Sequence, residues 1–212
     1  MATTEVVPTT PDVRERILDA AGQLFAEHGF GGAKVDEIAR RAGVNKAMLY
    51  YHVGDKAALF AAVVTAHVGR VRALVDEAMA ESDEPRRRLG AIPRAIARAV
   101  REHPYLPQLM LREITAGGPN LPETAIRQIG EVMLTTKRVL DDGVARGEFR
   151  PENPFAVHLM LVGAMMFMAN ALRLRDRFGA IVPLPPAAAA DLETLSESVL
   201  ATVLDGITKA RN

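Results

Sequence analysis

Within the first sixty residues, short runs of helical periodicity are separated by glycines, and this pattern constrains the fold more than any other feature. The first run, over 11–28, repeats apolar residues every three or four positions and predicts an amphipathic helix. Thr10 is its expected cap, Pro11 its first residue, and the glycines from Gly29 onward are expected to end it. The apolar positions are Val13, Ile17, Ala20, Ala21, Leu24 and Phe25.

Two much shorter helices follow, joined by a turn of a few residues. The second helix is predicted over 35–42 and ends at Gly43, where a residue able to adopt positive φ is needed. The third begins after Asn45, a good N-cap, and ends near Val53. Helices this short are stable only when they pack against neighbours. The arrangement is typical of a helix-turn-helix, which uses such helices to present one of them.

The rest of the chain also predicts helices, with no sustained strand alternation. After a break at Gly54, Asp55 caps a fourth helix that is expected to run to about Ser82. Pro93 is expected to start or kink the next helix, and 182–190 to be a linker before the last one. The later helical segments are 86–101, 103–116, 122–146, 154–178 and 191–209. The predicted fold class is all-α.

The change from short to long helices predicts two domains. Residues 11–71 are expected to form a helix-turn-helix domain, with the motif itself at about 34–53. Residues 72–212 are expected to form a larger helical domain, and the helix pattern places the boundary near residues 65–85, inside or just after the fourth helix. Residues 1–10 have neither the basic nor the apolar region of a signal peptide, and we expect them to be a disordered leader.

Composition argues against several classes of protein. The chain has 26 basic and 26 acidic residues, and this zero net charge argues against indiscriminate binding to polyanions. Cysteine is absent, which excludes disulfides and thiolate chemistry and fits a reducing cytoplasm. No phosphate-binding loop or nucleophile elbow occurs, so we predict neither an enzyme nor a cofactor. His103 and His158 lack metal-site spacing, and we predict structural roles for both and no metal site.

The stretch 155–172 is long and rich in apolar residues, and it contains no Asp, Glu, Lys or Arg. Eighteen such residues are at the lower limit for a membrane-spanning helix. His158, Gly163 and Asn170 interrupt the stretch, and Pro154 precedes it. We therefore expect a helix buried on most sides within the protein, and no membrane partner.

The third predicted helix distributes its side chains in an unusual way. On a helical wheel of about 100° per residue, Leu49 and Val53 share one side and belong to the core. The other positions are Ala47, Met48 and Tyr51 opposite that side, Lys46 and Tyr50 on one flank, and His52 on the other. A core helix would not place Tyr51 opposite its own core residues unless another surface covered it.

Duplex DNA is one surface that would cover this face, because the major groove admits one α-helix. Tyr, His and Lys side chains suit phosphate oxygens, while Ala47 and Met48 suit a thymine methyl group. Over 34–56, five basic residues oppose three acidic ones, a local surplus of only +2. The alternative is that Tyr50 and Tyr51 anchor a contact between helices and the lysines are simply solvated.

Residues 11–71 resemble the DNA-binding domain of the TetR family of bacterial transcriptional regulators. The resemblance is carried, from the first helix to the fourth, by ILDAAGQLFAEHGF, VDEIARRAGV, NKAMLYYHV and DKAALF. It implies that the second helix supports the third, and that the third recognises double-stranded DNA. By position it implies base-approaching roles for Lys46, Ala47, Met48 and Tyr51, and phosphate-binding roles for Tyr50, His52 and Lys56.

The sequence departs from the family pattern at two places. Ala33 and Lys34 stand where Thr or Ser usually caps the second helix, which removes a side-chain cap but lets Lys34 reach a phosphate. Val53 stands where an aromatic residue is usual, so we expect that corner of the core to be less filled.

For the remainder of the chain, the resemblance implies a helical domain that dimerises and holds a small-molecule pocket. The helices over 122–146 and 154–178 are the candidates for the dimer seam; the alternative is that 154–178 is the central core helix of the monomer. Methionine adapts to pockets of irregular shape, and the later helices are rich in it. The candidate ligand-binding residues are Met110, Arg112 and Met166. The alternative is that the methionines fill the core and that Arg112 pairs with a neighbour or reaches solvent.

The resemblance therefore implies a cytoplasmic, homodimeric repressor that responds to a small-molecule effector and binds a near-palindromic operator. The alternative is a helical small-molecule-binding or adaptor protein that does not bind DNA.

Overall fold

The structure, a computed structural model, describes residues 12–208 apart from the side chains at positions 176, 187 and 188. The predicted leader and the Thr10 cap lie outside the described residues. The helices are α1 Val13–Gly32, α2 Val35–Ala42, α3 Lys46–Val53, α4 Lys56–Ala80, α5 Pro85–Glu102, α6 Leu106–Thr115, α7 Glu123–Ala145, α8 Pro154–Leu172, α9 Arg175–Gly179 and α10 Leu192–Ile207. A single antiparallel bridge, between Phe149 and Thr208, is the only β feature within 12–208. The all-α prediction is confirmed.

The first helix differs from its prediction at both ends. It begins at Val13, with Asp12 at the N-cap, and the Asp12 amide donates a 3.3 Å hydrogen bond to the Glu15 carboxylate. Its last turn continues to Gly32, although Gly29 interrupts the helix with φ 71° and ψ 173°. The glycines therefore distort the end of α1 before they terminate it.

Three phenylalanines form the centre of the N-terminal helical cluster. Phe25 of α1 and Phe60 of α4 are both buried, with their ring centroids 4.9 Å apart in an edge-to-face arrangement. Phe30 meets the Phe60 ring edge-on at 5.4 Å. Because α2 and α3 have only eight residues each, they depend on this cluster for stability, through Ile38 and Leu49, which are fully buried.

The central helix of the C-terminal part of the chain is α5, which packs against α4, α7, α8 and α10. Its buried side includes Leu89, Ile92 and Ile96. Arg94 lies at the edge of this side and donates a 2.6 Å hydrogen bond to Glu197 of α10. Of the two alternatives predicted for Pro93, a helix start is wrong: α5 runs through it, and Pro93 is buried in the helix interior.

The later helices also correct the predicted bounds. α8 ends at Leu172, the separate short helix α9 follows, and Pro186–Ala189 form one turn of 3-10 helix within the predicted linker. α8 is not buried on most sides in the single chain. Its large exposed apolar side chains are Phe155, Leu159, Met160 and Phe167.

Among the residues that the structure describes, two helices, α4 and α8, are long and apolar enough to cross a bilayer by length and composition alone. A helix in the core of a globular protein meets the same criteria, and α4 contributes buried side chains along its length. The finding is therefore weak evidence for a membrane span.

Candidate nucleic-acid interface and effector cavity

The turn between α2 and α3 has the backbone geometry that the sequence predicts. Gly43 adopts the left-handed conformation, with φ 67° and ψ 37°. Its amide caps the end of α2 by donating hydrogen bonds to the carbonyls of Ala39 and Arg40. Asn45 then caps α3, because its side-chain oxygen accepts a 2.8 Å hydrogen bond from the Met48 amide. Glycine at position 43 is what allows the chain to reverse within so few residues.

One residue anchors α3, and most of the others face away from the protein. Leu49 is completely buried, while Val53 is half-buried. The outward side chains include Met48 and Tyr50, which are 41% and 43% exposed, and Tyr51, which is 87% exposed. The helical-wheel prediction of a buried and an outward face is confirmed. No other segment within 12–208 covers the Tyr51 ring.

The lysines near α3 are held in place by contacts within the chain. Lys46 forms a 2.8 Å ion pair with Asp36 of α2. The Lys56 ammonium donates to the Gly31 carbonyl at 3.2 Å and lies 5.0 Å from the centre of the Phe30 ring. These contacts position both ammonium groups, and they compete with any outside anion.

Three other predicted DNA-binding residues lie on the same surface. Lys34 is the exposed N-cap residue of α2 and makes no side-chain cap, as predicted. Ala47 is exposed in the first turn of α3. His52 is half-buried, and its ring packs edge-on against Tyr51 with centroids 5.4 Å apart. The structure thus brings all eight sequence-predicted DNA residues to the neighbourhood of one helix.

The arginines of α2 add little free positive charge. Arg40 pairs with Glu37 at 2.5 Å, and Arg41 pairs with Glu27 of α1 at 2.8 Å. The Arg41 hydrogen bond lowers the pKa of the Glu27 carboxyl, and the Arg40 hydrogen bond does the same for Glu37. Both carboxylates therefore stay ionised and neutralise their partners at neutral pH. The surface around α3 depends on hydrogen-bonding and aromatic groups more than on net charge.

A second candidate site is an apolar cavity of about 110 Å³ lined by α4, α5, α6, α7 and α8. Met110 and Met166, two of the predicted ligand-binding residues, line it. Arg112, the third, lies elsewhere: it donates to the Glu27 carbonyl of α1 at 3.3 Å. Arg112 is therefore not retained as a ligand candidate, because its guanidinium holds α6 against α1.

Two histidines line the same cavity, and sequence reasoning did not assign either to it. His158 is buried and its Nδ1 lies 2.9 Å from the Thr136 hydroxyl. His67 of α4 is also buried, and its Nε2 lies 2.8 Å from the Tyr105 hydroxyl. Burial lowers the pKa of both imidazoles, that of His67 to about 4, so both are neutral at pH 7.

The Tyr105 hydroxyl connects the cavity wall to the N-terminal helices. It lies 3.5 Å from His103 Nδ1, and that nitrogen is 3.9 Å from Asp19 of α1. Burial, followed by the charge and hydrogen bonding of Asp19, raises the pKa of the Tyr105 phenol well above its usual value. The phenol therefore stays protonated. The local stretch HPYLP carries no sequence signal for this contact, because its partners are on α1 and α4.

The described residues offer no metal centre. Within 12–208, no group of three or more His, Asp or Glu side chains is arranged to hold a metal ion.

An exposed second helix of a helix-turn-helix, set on a helical domain with an internal apolar cavity, defines the class of helix-turn-helix regulators. Residues 17–63 match the family described as bacterial regulatory proteins, tetR family. The transcriptional repressor SCO4008 of Streptomyces coelicolor is 33% identical over 153 residues, which cover 72% of this chain and 75% of that protein. The chain belongs to the TetR family.

Two further comparisons extend this result. The transcriptional activator FasR of Mycolicibacterium smegmatis is 40% identical over 78 residues, which cover 37% of this chain and only 36% of that protein. The crystal structure of the regulator FadR from Bacillus subtilis, in complex with stearoyl-CoA, superposes with a TM-score of 0.71. It is 20% identical and covers 91% of this chain and 98% of that one, so it shows that the fold extends through the C-terminal helices.

Proposed function

We propose that this chain is a ligand-responsive transcriptional repressor that binds a near-palindromic operator as a homodimer, in the cytoplasm where the chromosome lies. The observation that carries the proposal is the outward face of α3, where Tyr51 is 87% exposed on a helix held down by buried Leu49. A bulky aromatic ring costs free energy when it is left in water, so an exposed one on a recognition helix indicates a partner surface.

The exposed positions divide into two roles. Lys46, Ala47, Met48 and Tyr51 approach base edges in the major groove. Lys34, Tyr50, His52 and Lys56 bind phosphates on either side, as donors that fix the position of the helix. Because the arginines of α2 are paired with carboxylates, these few donors supply most of the attraction to phosphate.

The apolar stripe on α8 supports dimerisation. Phe155, Leu159 and Phe167 recur at helical spacing and are 56%, 50% and 69% exposed. Pairing this stripe with its copy across a two-fold axis would bury it and present two copies of α3. Operators of such dimers have half-sites roughly 34–36 Å apart.

The internal cavity supports a response to a small molecule. FadR of Bacillus subtilis has been crystallised with stearoyl-CoA, and the fold it shares with this chain makes the cavity between α4 and α8 the effector site we propose. Repression, and not activation, is proposed because SCO4008, which aligns with 72% of this chain, is a repressor. The effector would act by binding more tightly to one spacing of the two α3 helices than to another.

Selection of genomic DNA fragments by the purified protein tests the proposal. We expect one enriched near-palindromic sequence, which Tyr50→Ala and Tyr51→Ala variants bind at least about tenfold more weakly. Phe178→Ala is the matched control, since Phe178 is 54% exposed but lies on α9. The absence of any enriched sequence would favour the competing function, a helical ligand-binding or adaptor protein that does not bind DNA.

A further inference from the structure

The residues that line the cavity determine which chemical groups it can bind. Of its twelve lining residues, ten are apolar and two are histidines. No carboxylate, guanidinium or ammonium group lines it within the described chain. An ion placed there would lose its hydration and gain no counter-ion, which is strongly unfavourable. The wall therefore accepts an uncharged group.

The two histidines present neutral rings, and each has one nitrogen already engaged. The Thr136 hydroxyl donates to the Val132 carbonyl at 3.3 Å, so it accepts the Nδ1 proton of His158 at 2.9 Å. His67 engages Tyr105 through Nε2 at 2.8 Å. Both rings therefore line the cavity as neutral groups, among side chains that are otherwise apolar. The cavity thus favours an uncharged, largely apolar group.

The volume sets the size of that group. A cavity of 150 Å³ lined by apolar side chains holds benzene, so about 110 Å³ suits a group of no more than about six heavy atoms. The flexible side chains of Met110 and Met166 in the wall can adapt to its shape. Ile114, which also lines the cavity, is 55% exposed and marks where the cavity reaches solvent.

One wall residue is tied directly to the DNA-binding half of the chain. His67 meets the cavity on one side and the Tyr105 hydroxyl on the other. The Tyr105 ring in turn lies against Gly22 of α1, where an added β-carbon would be only 2.3 Å from its Cε2. A ligand that displaces His67 must therefore also move the Tyr105 ring, which is already in close contact with α1.

We propose that the cavity binds an uncharged, largely apolar group of up to about six heavy atoms. We further propose that a ligand displaces His67, and that Tyr105 transmits this displacement to α1. The transmission half of this inference rests on the proposed ligand response. The ligand class does not depend on it, since it follows from the lining and the volume of the cavity.

Three probes of equal length test the ligand class: 1-hexanol, hexanoate and hexylammonium, titrated calorimetrically at neutral pH. We expect hexanol to bind at least about tenfold more tightly than either ion. Ile129→Phe fills the cavity from α7 and should abolish hexanol binding, whereas Ile126→Phe, on the exposed face of the same helix, should retain it. Equal binding of an ion, or hexanol binding that survives Ile129→Phe, would overturn the assignment.

Hydrogen exchange of the α1 amides tests the transmission without using DNA. In the natural protein, hexanol should change exchange over residues 17–25 by at least about threefold, since the Tyr105 ring contacts that segment. Tyr105→Phe keeps the ring and removes the hydroxyl, so it should bind hexanol yet lose the response in α1. His67→Phe interrupts the same hydrogen bond from the other side and is the second variant. An unchanged response in both folded variants would refute the transmission, while loss of operator binding alone would not.

Discussion

The ring of Tyr105 lies directly against the backbone of Gly22, so that a β-carbon on residue 22 would sit 2.3 Å from Cε2 and 2.7 Å from the hydroxyl oxygen. Glycine in the middle of a helix usually weakens it. At this position it allows α1 and the segment before α6 to approach more closely than any other residue would permit. The contact joins the two halves of the chain.

Replacing Gly22 with alanine should therefore destabilise the protein. The overpacked ring should cost about 1–3 kcal/mol, despite the better helix propensity of alanine. Gly130→Ala is the matched control, because it lies within α7 and a β-carbon there would meet nothing within 4 Å. It should be neutral or stabilise by up to about 1 kcal/mol. Urea unfolding measures both, and a Gly22→Ala protein as stable as the natural one would contradict the packing described.

Stability should fall in mild acid because of His67. Burial lowers its pKa in the folded protein to about 4, whereas the unfolded chain titrates near 6.5. Between these values the unfolded state binds more protons, so the free energy of unfolding decreases as the pH falls. The loss between pH 7 and pH 5 should be on the order of 2 kcal/mol.

The matched measurement for this prediction uses His67→Gln, which cannot titrate. Urea unfolding at the two pH values should show a smaller pH dependence for the variant than for the natural protein. His103, whose ring centroid is 4.3 Å from that of His67, is present in both proteins. Equal pH dependence in the two proteins would contradict a buried neutral His67.

Asp36→Asn should strengthen DNA binding. The Asp36 carboxylate holds Lys46 at 2.8 Å and raises the pKa of its ammonium through a hydrogen bond and its charge. Removing this charge frees Lys46 for phosphate or bases and lessens repulsion, so operator affinity should rise about threefold to tenfold with a steeper salt dependence. Asp76→Asn, which removes one of the two carboxylates paired with Arg72 on α4, should leave affinity unchanged. Fluorescence anisotropy at two salt concentrations measures both effects, and weaker binding by Asp36→Asn would count against the proposed face.

A charge in the apolar stripe of α8 should dissociate the dimer. Phe155→Glu and Phe167→Glu would each bury a carboxylate in the proposed seam, which should raise the dissociation constant by at least about a hundredfold. Tyr51→Glu places the same charge on an exposed ring of α3 and should leave the dimer intact. Sedimentation equilibrium distinguishes the two results. A natural protein that sediments as a monomer would refute the homodimer directly.

Where the determinants are local, sequence reasoning located the elements well. Asn45 caps α3 as predicted, because its side chain needs only the amide three residues later. Gly43 takes the positive φ that the turn requires, and Leu49 is buried because the helical repeat places it on the inner face. Pro93 does not start a helix, as one alternative predicted, because the cost of proline within α5 is offset by the burial of that helix among its neighbours.

The sequence by itself determined the all-helical fold, the helix-turn-helix and the face of α3 that is buried, since spacing, caps and glycines act within a few residues. Only the tertiary structure decided which residues face the cavity and which residues join the N-terminal and C-terminal parts of the chain. His67 and Tyr105 are 38 residues apart, and Arg112 reaches a carbonyl 85 residues away. Such partners are selected by how the helices pack, and helical periodicity identifies a buried face without specifying which helix covers it.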